Sequence, residues 1–297
     1  MSKIQDKFKE LKSKNEKALI SYIMTGFPNE NTTLSIVRGF VRGGTDIIEL
    51  GFPFSDPIAD GPIIQNASTV SLNKGAKTEK FFRLVKKIRK ETDIPLVLMT
   101  YTNVLYTHGY TKFMSRVKSA GIDGLILPDM SIEESKEYLK SAKKNNLDTI
   151  FLVSPNTKND RLKKIARAST GFLYMVAVFG TTGVQTKIHK YTVDAIKNSK
   201  KIVGKKIPIG IGFGVSTPAD VKKYVSLGVD AVIVGSANLK IIENTPPSKL
   251  QRKIVSRLFF LADFRYSFDS SMDMSGRIKP SIPTLLAFDM NFVYPCV

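Results

Sequence analysis

Eight short apolar runs rich in β-branched residues recur along the chain, at 19–25, 46–51, 95–101, 124–129, 148–153, 172–178, 207–213 and 231–236. Amphipathic stretches lie between most of them. Phe82, Val85 and Ile88 repeat at helical spacing, as do Val193 and Ile196, so each intervening segment offers one apolar face. Strict alternation of strand and helix implies a parallel sheet, because each crossover helix returns the chain to start the next strand in the same direction. Eight such units in about 250 residues suit a closed barrel better than an open doubly wound sheet, which usually has fewer strands and carries a nucleotide-binding fingerprint. The Gly-Ile-Gly-Phe-Gly run at 210–214 is not that fingerprint, since its glycines have the wrong spacing and follow the seventh run rather than the first. The expected fold class is therefore α/β, a (β/α)8 TIM barrel.

The ends of the chain differ in character. Ile4, Phe8 and Leu11 share one helical face, which predicts a short N-terminal helix packed on the barrel, and Asp6, Glu10 and Glu16 are out of place in an acid-poor leader. Residues 248–264 read as a closing helix with Ile254, Leu258 and Leu261 inward, giving a barrel domain over 1–264. From 265 to 297 the periodicity fails, with Pro280, Pro283 and Pro295 among scattered aromatics, and this stretch reads as an irregular tail. A chain of 297 residues with 42% hydrophobic residues can bury a large core. No apolar run reaches the roughly 18 residues needed to span a bilayer, so the expected location is the cytoplasm, with no membrane partner. The net charge of +19 would suit nucleic acid, yet the cations sit between inward-facing apolar positions, as at Lys86, Lys87, Arg89 and Lys90 or Lys163, Lys164 and Arg167. Without a zinc-finger spacing, a basic region feeding heptads or an aromatic-basic motif, those runs read as solvated helix faces and no nucleic-acid partner is expected.

Chemistry then has few residue types to use. Cys296 is the single cysteine and His108 and His189 are the two histidines, so neither metal catalysis nor His-dependent nucleophilic catalysis has much material, and no metal is expected; His108 reads as a surface loop histidine. Proton transfer falls to carboxylates, tyrosines and lysines. Glu49 lies between Ile48 and Leu50, and strand parity puts it on one face with Ile47 and Gly51. If that face lines a pocket, burial would raise the Glu49 pKa toward neutrality, and Asp60 in the following loop would be a second carboxylate. A carboxylate tied up by an arginine or by backbone amides is the equally weighted alternative. In barrels of this class reactive groups collect at the C-terminal ends of strands, and phosphate is gripped by loops after the late strands. Gly180 to Gly183, Gly212 with Gly214, and Gly235 with Ser236 form three clusters there, able to bring backbone amides close to phosphate oxygens.

At this point a resemblance emerges. Leu50-Gly-Phe-Pro-Phe-Ser-Asp-Pro-Ile-Ala-Asp-Gly-Pro-Ile-Ile-Gln65 is similar to the signature of the tryptophan synthase alpha chain family. The likeness continues through Tyr22-Ile-Met-Thr-Gly-Phe-Pro28, Leu127-Pro-Asp129, Gly180-Thr-Thr-Gly183, Gly212-Phe-Gly-Val-Ser-Thr-Pro218 and Gly235-Ser-Ala237. It implies a carbon-carbon lyase that performs cofactor-free retro-aldol cleavage of indole-3-glycerol phosphate to indole and glyceraldehyde 3-phosphate. By the resemblance Glu49 shuttles protons and Asp60 accepts the indole N–H. Tyr174 matches an active-site tyrosine beside Glu49, and Tyr101 falls at a position lining the indole pocket; from residue type alone either could be a core aromatic. Gly183, Gly214, Gly235 and Ser236 match the phosphate grip, and Thr182 matches a threonine of a closing loop. Pro53 and Asp56 fall in the loop that meets a beta subunit in an α2β2 assembly. A standalone lyase and a weakly catalytic scaffold that activates a beta partner are the two alternatives. Four positions depart from the common family pattern: Tyr22 for a pocket phenylalanine, Val70 for an arginine, and Ala177 and Val178 for Ser-Arg.

Overall fold

The structure is a computed structural model that describes residues 2–177, 189–212 and 214–262. Eight strands run in the order β1 (Ala18–Met24), β2 (Ile47–Gly51), β3 (Leu96–Met99), β4 (Gly124–Ile126), β5 (Asp148–Val153), β6 (Leu173–Val176), β7 (Ile209–Gly212) and β8 (Ala231–Val234). Each pairs in parallel with the next, and β1 pairs with β8, closing the barrel. All eight apolar runs become strands, most of them shorter than the runs. The run at 124–129, for example, leaves the sheet after Ile126, where Leu127 leads to a proline that has no N–H to give a ladder.

The helices are α1 (Lys3–Ser13), α2 (Glu30–Arg42), α3 (Pro62–Asn73), α4 (Thr78–Glu91), α5 (Thr102–His108), α6 (Tyr110–Ala120), α7 (Lys136–Lys144), α8 (Asn159–Ala168), α9 (Lys190–Val203), α10 (Pro218–Ser226), α11 (Ser236–Glu243) and α12 (Pro247–Ala262). Two apolar layers hold them. Ile48 and Leu50 belong to the layer between strands and helices, whereas Ile47 joins Ile20, Val97, Ile126, Ile150 and Phe172 inside the barrel. This is the period-two alternation expected of β2, and it turns Glu49 inward.

Helix α1 closes the N-terminal end. Ile4, Phe8 and Leu11 are buried as expected and join the interior cluster, with the Phe8 and Phe172 ring centroids 5.9 Å apart. Gly124 permits the seating, since a Cβ there would lie 2.8 Å from Ile4 Cδ1. Gln5 Nε2 ties the helix to Thr170 O at 3.0 Å. With that end plugged, Glu49, Asp60, Tyr22 and Tyr174 lie at the C-terminal mouth.

The expected closing helix forms as α12, with Ile254, Leu258 and Leu261 buried. Gly39 of α2 and Gly43 at its C-cap allow its close approach, a Cβ at Gly43 falling 2.7 Å from Leu258 Cβ. The tail at 265–297, and the last residues of the barrel domain expected over 1–264, lie outside the described residues. One basic run corrects its reading: Arg89 does not face solvent with Lys86, Lys87 and Lys90. It donates to Gly121 O at 2.9 Å and to Asp123 Oδ2 at 2.8 Å, tying α4 to the start of β4. Among the described residues no helix is long and apolar enough to cross a membrane.

Candidate active site

A cavity of about 370 Å³ opens at the C-terminal mouth, with Glu49, Asp60, Tyr22 and Tyr174 at its barrel end. Glu49 reaches it from β2 and is 1% exposed; its Oε2 atom is buried with no hydrogen-bond partner. Asp60 is delivered by the loop after β2. That loop is pinned from below by Ser68 of α3, whose hydroxyl accepts from Phe54 N and donates to Phe54 O, each at 2.8 Å. Tyr101 fixes the carboxyl: its hydroxyl donates to Asp60 Oδ2 at 2.9 Å and accepts from Ala59 N at 3.2 Å, while its ring stacks on Phe54 with centroids 5.1 Å apart. The other oxygen, Oδ1, is buried and unpartnered. Buried polar atoms are normally hydrogen-bonded, so two orphan carboxyl oxygens on residues of one cavity make Glu49 and Asp60 candidates for ligand contact.

Their environments separate the two carboxyls. Burial, reinforced by the charge of Asp60, pushes Glu49 up to about 8. Burial also raises Asp60, but the hydrogen bond from Tyr101 works against it and the group settles at about 6. Near pH 7 one carboxyl is therefore an acid and its neighbour an acceptor. Tyr22 and Tyr174 are pushed far above the usual phenol range, by burial first and then by the two carboxylates, and stay neutral.

Glycines make room for these phenols. A Cβ at Gly51 would lie 2.7 Å from Tyr22 Cζ, and one at Gly212 would lie 2.5 Å from Tyr174 Cζ. Gly212 thus sits in β7 beneath Tyr174 and is not among the cavity-lining residues. Tyr101, likewise absent from the lining, meets the site through Asp60.

The outer end of the cavity is built from Gly214, Ser216, Gly235, Ser236 and Ala237, joined by Lys240 and Arg257. Gly214 takes a φ of 86°, a left-handed conformation that favours glycine. Two helices begin here in different states. Helix α10 is closed by a capping box between Thr217 and Asp220, which also takes Ser216 N at 3.0 Å, whereas no side chain caps α11 at Gly235. The first amides of α11, at Ser236 and Ala237, could therefore receive an anion.

Other expected residues are placed differently. Pro53 is buried and lines a second pocket with Phe52 and Phe81, while Asp56 and Ile58 of the same loop are exposed, as is Tyr106 nearby in sequence to Tyr101. Thr182 and Gly183, with Val178, lie outside the described residues. Ala177, just before them, is anchored by Thr192 Oγ1, which donates to its carbonyl at 2.6 Å. Val70 packs partly buried on α3. His108 lies not in a loop but in the last turn of α5, with its ring nitrogens 3.1 Å from Thr78 Oγ1 and 2.9 Å from Val104 O.

Arg257 and Lys240 escape the sequence reading. A signal existed for Arg257. It falls three residues after Ile254 on the face that also carries Leu258 and Leu261, and a cation on the inward face of an amphipathic helix is a residue with a task.

Comparison with known proteins matches this architecture. A profile of the family described as tryptophan synthase alpha chain matches residues 8–263. The tryptophan synthase alpha chain of Methanosarcina barkeri is 45% identical over 241 residues, covering 81% of this chain and 89% of that one. That of Carboxydothermus hydrogenoformans is 40% identical over 258 residues, 87% and 96% of the two chains. Among solved structures, a chain from Aquifex aeolicus superposes with a TM-score of 0.82 at 36% identity, covering 90% of this chain and all (100%) of that one. A chain from the tryptophan synthase α2β2 complex of Pyrococcus furiosus, a complex described as mutually activated, gives a TM-score of 0.77 at 35% identity, covering 83% and 98%.

Proposed function

Because the chain belongs to the tryptophan synthase alpha chain family, we propose that it cleaves indole-3-glycerol phosphate into indole and glyceraldehyde 3-phosphate. Protonated Glu49 donates to C3 of the indole ring, which makes the ring a leaving group and places positive charge on the ring nitrogen. Asp60, ionised, accepts the indole N–H and stabilises that charge as it forms. The Glu49 carboxylate then takes the hydroxyl proton of the adjacent glycerol carbon while the carbon-carbon bond breaks. Its electron pair returns to the ring, the carbinol becomes an aldehyde, and Glu49 ends the cycle protonated as it began. Two carboxyls of unequal acidity are enough for every proton in the cycle.

The observation that carries this reading is the pair of orphan carboxyl oxygens on two residues that line one cavity, with Glu49 at about 8 and Asp60 at about 6. Support comes from the opposite end, where Gly214 and the uncapped start of α11 suit the substrate's phosphate. Tyr22 and Tyr174, kept neutral, flank the ring; Tyr101 holds Asp60 in place.

As in the P. furiosus assembly, the chain would join a beta subunit in an α2β2 complex that receives the indole, through the rim loop carrying Asp56 and the exposed Ile58. The compartment proposed is the cytoplasm. The test is product analysis: the purified chain, given indole-3-glycerol phosphate, should release indole and glyceraldehyde 3-phosphate in equal amounts, faster when a beta subunit is added. Absence of both products under either condition would refute the reading. Unaided turnover that a beta subunit fails to increase would leave a standalone lyase instead.

A further inference from the structure

We infer that Arg257 is a cationic side-chain ligand of the substrate phosphate, a positioning residue that gives the site its preference for phosphorylated over neutral indole compounds. This rests on the functional reading above. Gly214, Gly235 and Ser236 can offer a phosphate backbone and hydroxyl donors, yet none carries a formal charge, and a helix start contributes a fraction of one. The substrate's phosphate brings close to two negative charges into a cavity that already holds Asp60. A full positive charge at the outer end would offset it.

Arg257 meets the requirement by position. It projects from α12 into the same end of the cavity as Gly214 and Ser236. Its Nη2 donates to Ser216 O at 2.5 Å, which anchors the guanidinium beside the turn that carries Gly214. Its Nε is buried and has no acceptor, and among the described residues no carboxylate pairs with it. Burial lowers its pKa, the mark of a cation held without a counter-ion. An arginine with a purely structural task would be expected to place all its buried donors on acceptors. Here a buried donor without an acceptor and an unneutralised charge belong to a residue that lines the cavity, and guanidinium offers phosphate oxygens a fork of donors. Lys240, exposed on α11 at the same rim, adds a second cation at longer reach.

The test compares two ligands that differ in the phosphate alone: a non-cleavable indole bearing a 3-propyl phosphate, and indole-3-propanol. The chain has no tryptophan, so the ligands' own indole fluorescence reports binding without background. Arg257→Gln should weaken the phosphate ligand by about tenfold or more, as expected for loss of a charge-assisted pair, while the neutral ligand binds as it does to the wild type. In turnover the loss should fall on KM rather than kcat. Unchanged affinity for the phosphate ligand, or equal weakening of both ligands, would overturn the inference. Should the Gln variant fail to fold, Arg257→Lys, which keeps the charge but not the fork, should lose a few-fold for the phosphate ligand alone; equal or no loss again counts against it. Failure of the wild type to bind either ligand would instead refute the functional reading.

Discussion

At pH 7 the two carboxyls of the cavity share their work through a single proton: Glu49, pushed up to about 8, keeps it, and Asp60, at about 6, has mostly shed its own. The pH dependence of cleavage follows with a definite sign. Activity needs Asp60 ionised, so kcat/KM should fall as pH drops through about 6, and it needs Glu49 protonated, so it should fall again as pH rises through about 8. A profile flat from pH 5 to 9 would contradict the division of roles. The same shift has a cost in stability. Because the folded Glu49 holds its proton more tightly than an unfolded one, its contribution is fully present below the ordinary carboxyl range and is lost as pH rises toward about 8. Glu49→Gln cannot ionise, so its stability relative to wild type should grow between pH 5 and 9, by on the order of 3 to 5 kcal/mol. Thermal melts at the two ends measure it; parallel shifts would argue against a buried acid. Glu49 and Asp60 were legible as candidates because a charge inside an apolar run is costly, whereas Tyr101's hold on Asp60 depends on a separation of 41 residues that no local pattern encodes.

The strands position this chemistry, and their glycines matter as much as their large residues. Gly212 read as a loop glycine near the phosphate; in the barrel its missing side chain is the space that Tyr174 occupies. Gly212→Ala should therefore push the Tyr174 ring off its place in the cavity, lowering kcat by about ten- to a hundredfold and costing roughly 1–3 kcal/mol of stability through overpacking. Steady-state kinetics beside a thermal melt would show it, and wild-type turnover in a stable variant would count against the packing account. The elements themselves were legible, because period-two and period-3.6 patterns survive in this chain with little interference. Which residues of each helix look into the mouth was not. Arg257 belongs to a helix identified in advance by Ile254, Leu258 and Leu261, yet its position over the cavity is set by how α12 packs on α2, where Gly39 and Gly43 admit it.

At the scale of the barrel, one end is packed with apolar side chains and the other carries the cavity proposed as the active site. Helix α1 fills the N-terminal mouth with Ile4, Phe8 and Leu11, and the carboxyls, phenols and uncapped helix occupy the C-terminal mouth. The apolar ring of helices is complete by Ala262, so we propose that residues 266–297 are dispensable to the barrel: their deletion should leave melting temperature and cleavage rate unchanged, and loss of soluble protein would refute that. The surplus of positive charge has no structural explanation beyond its spread over exposed helix faces. The central claim is that a single buried acid moves the protons of a retro-aldol cleavage. It is tested most directly by measuring indole release from indole-3-glycerol phosphate by wild type and Glu49→Gln at pH 7, beside their affinity for the indole-propyl phosphate ligand. Glu49→Gln should lower kcat by roughly a thousandfold, in the range of a lost general acid-base group, with affinity retained. A Glu49→Gln enzyme that cleaves as fast as wild type would contradict it.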